Sequence, residues 1–301
     1  MQRDDVGNSV LRPPAVTLDI AITGHRSRHP VFAKNKAAIA QSLSALMDLL
    51  GRIAIEESGC GGSGEIPNIR LHSLLAYGAD LMAVDAVQTK GWPVIAPLPF
   101  GQALNLAINA QPLYLDDMQA LLDGGMVADT EIAERAAEIR SIAAKARIFE
   151  LAEQDREVET LYRKHLAEPD NRAAEQDFVA ICSDRAAIAA RVMVEHSDIL
   201  IGIWDGVTRG NIGGTRHTIE SALEQGIAVI WLDAGNPDRW HLLRATEELA
   251  GLAGRPDSAN TEVAVRSVVR DALCPAGDTW QNARTNRIWR GKSNRFFHAY
   301  R

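Results

Sequence analysis

Six consecutive residues, Ile199-Leu200-Ile201-Gly202-Ile203-Trp204, stand between Asp198 and Asp205 without a polar side chain among them. A strand with one wet face alternates apolar and polar residues, so an unbroken apolar run of this length suits a strand covered on both faces. Such strands belong to parallel sheets with helices above and below. Four other segments, 16–22, 69–75, 93–99 and 227–232, are also strand candidates, the first of them apolar and β-branched. Helical spacing lies between them. Ile39, Leu43, Leu46 and Leu50 share one face within 30–55, and a helix over 81–90 ends at Gly91. In 184–197, Ile188, Val192 and His196 fall at i, i+4 and i+8, with Ala189 and Met193 on the adjoining stripe. A further helix opens after Gly213-Gly214-Thr215 and ends near Gln225-Gly226. Strands alternating with helices, joined by right-handed crossovers, predict a Rossmann-like, doubly wound α/β fold with a mainly parallel sheet in the order 3-2-1-4-5.

Length and charge narrow the function. At 301 residues the chain reads as a polar arm over 1–14, one Rossmann-like domain over 15–240, and a C-terminal helical or tail segment over 241–301. An Ala-, Glu- and Arg-rich helical insertion is expected at about 101–183 within the domain. The excess of 39 acidic over 32 basic residues, a net charge of −7, disfavours bulk nucleic-acid binding. Cys60, Cys182 and Cys274 show no paired spacing, which argues against a disulfide framework and for a reducing, cytoplasmic setting. No signal peptide and no run of about 18 apolar residues is evident, so no membrane span is expected. His196 and His217 lack partners at metal-ligand spacing, and no metal or cofactor is assigned. The first strand is followed by no GxGxxG, the loop Cys60-Gly61-Gly62-Ser63-Gly64 by no Lys-Ser or Lys-Thr, and no GxSxG elbow occurs. Trp204 and Trp231 read as core.

In an open parallel sheet the ligand crevice lies beyond the carboxyl ends of the strands, where the chain order reverses. Here that brings the loop Gly24-His25-Arg26 beside the segment from Asp205 to Thr215. Arg26 suits a phosphate or carboxylate through its two-pronged guanidinium, and His25 suits a ribose or base. Gly213, Gly214 and Thr215 open a helix whose exposed N–H groups attract anions, though a Gly-Gly pair also serves as a plain turn. Gly78 allows close backbone approach after the second strand, while Asp80 either caps the next helix or takes a sugar hydroxyl. Asp205 can accept from a ribose, and Arg209 can close over an anion.

Taken together, Thr23-Gly24-His25-Arg26, Ala76-Tyr77-Gly78-Ala79-Asp80 with Pro97-Leu98-Pro99-Phe100, and His196-Ser197-Asp198 leading to Trp204-Asp205-Gly206 and Gly213-Gly214-Thr215 resemble the SLOG superfamily. That Rossmann-like group includes LOG phosphoribohydrolases, DprA DNA-processing proteins and ligand-sensing domains of bacterial defence proteins. The resemblance spans roughly residues 16–234 and implies a pocket for a nucleotide or nucleotide-derived ligand, with phosphate on the Gly213-Gly214-Thr215 helix start. It also implies a sensing role, control of an effector, and assembly as a homo-oligomer. The catalytic branch carries PGGxGTxxE and an Arg on the preceding helix. Here the position three after Thr215 is Thr218, the acidic residue is Glu220, and Arg191 lies off the family spacing. Two residues along a helix turn a side chain by about 200°. Binding or sensing is therefore the first expectation. The alternative is a LOG-like phosphoribohydrolase or NAD glycohydrolase that uses Glu220 and Arg191 to cleave an N-glycosidic bond.

Overall fold

The computed structural model describes residues 16–58, 67–207, 212–252 and 261–274. The arm over 1–14, the loop over 60–64, Arg209 and the tail from Trp280 fall outside them. The five expected strands are present as β1 (Thr17–Gly24), β2 (Asn68–His72), β3 (Val94–Leu98), β5 (Ile199–Trp204) and β6 (Ala228–Asp233). They lie in the order β3-β2-β1-β5-β6 and pair in parallel throughout. This is a doubly wound, Rossmann-like α/β arrangement. Two edge strands complete a seven-stranded sheet: β4 (Ala146–Glu150), parallel to β3, and β7 (Trp240–Leu243), antiparallel to β6.

Neither edge strand has the apolar run that marks the inner five. The β4 sequence ARIFE leaves Arg147, Phe149 and Glu150 exposed, because an edge strand need not be covered. The stretch expected to be a helical insertion thus carries a strand as well as helices. It contains α3 (Gln102–Ala110), α4 (Leu115–Leu122), α5 (Thr130–Ala143), α6 (Asp155–Ala167) and the start of α7 (Arg172–Glu195). β7 returns along β6 after a short turn in which Asp233 N–H donates to Arg239 C=O at 3.0 Å.

Side-chain alternation divides the core between the two faces of the sheet. Leu18, Ile20 and Ile22 of β1, Ile199, Ile201 and Ile203 of β5, and Ile230 and Leu232 of β6 join one cluster. Ala21, Leu200, Trp204, Val229 and Trp231 point into the other. The first face is covered by α1 (Pro30–Ser58), α2 (Ala79–Gln88) and α9 (Thr261–Leu273), and the second by α7 and α8 (Thr215–Glu224). Trp204 and Trp231 are core residues as expected, and the Trp231 indole N–H donates to the Trp204 carbonyl at 2.8 Å.

α1 begins with proline, whose fixed φ and missing N–H suit a first helical position. By length and composition it is apolar enough to cross a bilayer. In this fold its stripe of Phe32, Ile39, Leu43, Leu46, Met47, Leu50 and Ile53 is buried. Each such side chain contributes roughly 1.5–3 kcal/mol by leaving water. The stripe on α7 differs from expectation by one position. Ala189, Ala190, Met193 and Val194 are buried, whereas Ile188 is 45% exposed and His196 faces solvent. On an alanine-rich helix two stripes about 100° apart look equally apolar, and α8 and the sheet decide between them.

Candidate functional site

The chain leaving β1 runs through α1 to β2, and the chain leaving β5 runs through α8 to β6 on the opposite side. The two departing loops diverge, and this is the reversal of strand order at which a crevice forms. Pairing of β1 with β5 continues one residue beyond the sheet, where His25 N–H donates to Ile203 C=O at 3.0 Å. Asp205 N–H then donates to His25 Nε2 at 3.1 Å, so this nitrogen presents a lone pair and the imidazole is neutral. Its pKa is lowered to about 4 by desolvation and by neighbouring His29, against the opposing Asp205 carboxylate.

His29 stacks on His25 with ring centroids 3.6 Å apart and planes within 1°. The Asp205 carboxylate reaches both rings, at 3.5 Å from His25 Nε2 and 3.8 Å from His29 Nε2, and accepts from Val207 N–H at 3.1 Å. One donor atom from each of the three residues lies within 4.8 Å of the others, so the group has the composition to hold a metal ion. Sequence reading assigned no metal and passed over His29. The available signal was the spacing of His25 and His29, four apart ahead of a helix, at the strand end beside Asp205.

Arg26, which follows His25 in the loop after β1, brings a cation to the site. Its side chain is exposed, yet the protein around it lowers its pKa by desolvation, opposed by the Asp80 carboxyl and the Cys182 thiol. Arg26 Nη1 donates to Asn109 Oδ1 at 2.5 Å, a neutral acceptor on α3. Asn109 Oδ1 also accepts from Tyr77 N–H at 3.2 Å, and its amide donates to Asn105 C=O at 2.9 Å. Asn109 therefore ties the insertion to the loops after β1 and β2. Sequence reading missed it, although Asn105 and Asn109 sit one turn apart on a helix that is apolar elsewhere beyond Gln102. Burial pushes the Cys182 thiol up to about 12, with Arg26 opposing, so it is no nucleophile near neutral pH.

The glycines are shaped by protein packing. At Gly24 a Cβ would meet Ala79 Cβ at 2.4 Å and Ile203 at 2.9 Å. Gly78 has φ +148°, and a Cβ there would meet His25 C=O at 2.5 Å and Ser27 N at 2.7 Å. The loops after β1 and β2 meet at this point, through an Arg26–Gly78 bridge and bonds from Ser27 N–H to Tyr77 C=O and from Ala79 N–H to His25 C=O. Gly78 thus serves loop-to-loop contact. Asp80 is neither a helix cap nor open to a sugar, because Gly78 is the N-cap of α2 and the Asp80 side chain is buried below the loop. It accepts from Ser73 Oγ at 3.2 Å and from Leu74 N–H at 3.1 Å. Burial raises its pKa to about 6 despite Arg26 and these hydrogen bonds.

At α8 the N-cap is Gly214 and Thr215 is the first helical residue. Gly213, at φ +78°, lies so close to α7 that a Cβ would stand 2.3 Å from Ser183 C=O. Its N–H donates to His217 Nδ1 at 3.3 Å. Glu220 and Arg191 are brought together: both line a cavity of about 230 Å³ between α7 and α8, with His217, Thr218 and Glu224. Glu220 also accepts from Arg216 Nε at 2.7 Å. Arg185, which sequence reading left unremarked, is buried and ties α7 to the segments that follow β3 and β4, donating to Pro99 C=O at 3.4 Å and to Glu153 at 2.5 Å.

Comparison of the chain with protein-family models, curated proteins and solved structures finds no match. The class the geometry defines is a doubly wound α/β protein whose polar side chains converge at the strand-order reversal.

Proposed function

We propose that the crevice between the loops after β1 and β5 binds a nucleotide or nucleotide-derived anion, and that the protein acts as a sensor of that ligand. The observation that carries this reading is Arg26: a cation at the reversal point, its guanidinium partly enclosed by protein, whose hydrogen-bonding side-chain partner among the described residues is a neutral amide. A cation so placed favours an acidic ligand, since most of its five N–H donors remain for a phosphate or carboxylate. The N-terminus of α8, headed by Gly214, adds partial positive charge on the other side of the reversal. The resemblance to SLOG domains points to the same ligand class. A cytoplasmic setting accords with Cys182 as a free thiol.

Mass spectrometry of small molecules released from gently purified, then denatured protein tests the reading. A stoichiometric intact nucleotide is the expected result, and Gly214→Val should remove it while the far-UV spectrum stays unchanged. Protein that carries none, and binds neither AMP nor NAD when they are added, contradicts it. The hydrolase reading has one observation in its favour, the shared cavity of Arg191 and Glu220. At about 230 Å³ it is smaller than the roughly 300–1,000 Å³ of typical ligand pockets, and it lies between helices rather than at the strand ends. Release of free base from AMP or NAD, abolished by Glu220→Gln, would move the protein to that branch.

A further inference from the structure

The geometry points to a divalent transition-metal site formed by His25, His29 and Asp205, which we propose takes an ion of the zinc or cobalt type at the head of the crevice. Three features carry the assignment. The donor set is two imidazoles and a carboxylate, a mixture that suits borderline ions, whereas magnesium and calcium favour oxygen alone. The donors come from two chain segments nearly 180 residues apart in sequence, held together because β1 and β5 are neighbours. Their separations are close to those of a coordination shell. Bonds of 2.0–2.2 Å in a tetrahedron place ligand atoms about 3.3–3.6 Å apart. Asp205 Oδ1 stands 3.5 Å from His25 Nε2 and Oδ2 stands 3.8 Å from His29 Nε2, and one donor atom from each residue lies within 4.8 Å of the others, so the donors draw together on binding.

Loading requires two local changes. The ion replaces the hydrogen bond from Asp205 N–H to His25 Nε2. Stacked rings also present their lone pairs side by side, and a shared ion needs them to converge. His29 is the more exposed ring, at 22% against 6% for His25, and is the one the proposal requires to turn. Three protein ligands leave a fourth position for water or a ligand oxygen, as in catalytic zinc sites. Coordination of a phosphate oxygen there rests on the function proposed above. The metal site itself does not.

The test uses the full chain, free of affinity tag and stripped of metal, titrated with Co²⁺ alone and followed by visible absorption, with calorimetry for Zn²⁺. The expected result is one equivalent bound with the intense bands of low-coordinate cobalt, and at least tenfold weaker binding in both His29→Gln and Asp205→Asn. Thermal melts establish that the variants fold. Asp205→Asn keeps the backbone bond to His25, and His29→Gln leaves that bond untouched. A wild-type chain that binds no equivalent of either ion overturns the proposal. So does binding that both folded variants retain at full strength. AMP titrated with and without Zn²⁺ then separates the two readings. Tighter AMP binding with the ion supports phosphate coordination, and equal binding overturns that part alone. Metal binding with no AMP binding in either condition upholds the metal site and contradicts the nucleotide reading.

Discussion

At the scale of single residues, His25 and Asp80 give the site a pH signature with two opposing halves. His25 has a folded pKa near 4, below the ordinary 6.5, so the folded state resists protonation and stability falls as pH drops through that interval. Asp80 has a folded pKa near 6, above the ordinary 3.8, so its contribution is fully present below 3.8 and is lost as pH rises through 6. Between about pH 4 and 6 the two slopes oppose one another. Asp80→Asn removes one of them, and the variant should lose urea resistance on acidification across this window more steeply than wild type. Equal slopes in the two proteins would show that Asp80 does not titrate as described. Asp19 acts at lower pH: burial raises its pKa, but hydrogen bonds from His72 and Arg70 more than offset this and hold it below the ordinary value. Its stabilising share is present above the ordinary carboxylate pKa and is lost as pH falls further. Sequence position was enough to nominate His25, Arg26 and Asp205, because strand ends are recognisable locally. The bonds of Asn109, Arg185 and His29 join segments distant in sequence, so no local pattern announces them.

At the scale of elements, the glycines at loop junctions matter more for how the loops pack than for the ligand. Gly78 and Gly213 hold positive φ and lie against backbone atoms of a second segment, so an added methyl group meets both torsional strain and a clash. Gly78→Ala and Gly213→Ala should each destabilise the fold by about 1–3 kcal/mol or more. Gly226→Ala is the comparison, with positive φ but open space around its Cβ, and should be milder. Urea midpoints that rank Gly226→Ala as harmful as Gly78→Ala would contradict the close-approach account. The apolar runs made the inner strands legible. β4 was hidden because an exposed edge strand lacks that pattern, β7 because its four residues WHLL are short and interrupted by His241, and the true α7 stripe was hidden because alanine allows two choices of face.

Across the whole molecule, the insertion and the sheet share one core. Leu104 of α3, Met118 of α4, Ile132 of α5 and Val158 of α6 belong to the same cluster as Leu18 and Ile20 of β1. The insertion should therefore unfold together with the sheet, giving coincident urea transitions by far-UV circular dichroism and tryptophan fluorescence. Separate midpoints would mark it as an independent unit. The proposed crevice lies where the loops after β1 and β5 meet α3, with Arg26 as its proposed cation. Calorimetric titration of AMP into wild type and into Arg26→Met tests that placement most directly. The account requires saturable one-to-one binding by wild type and at least a tenfold loss in a variant that melts as wild type does. Undiminished AMP affinity in folded Arg26→Met, or no binding by wild type, would contradict it.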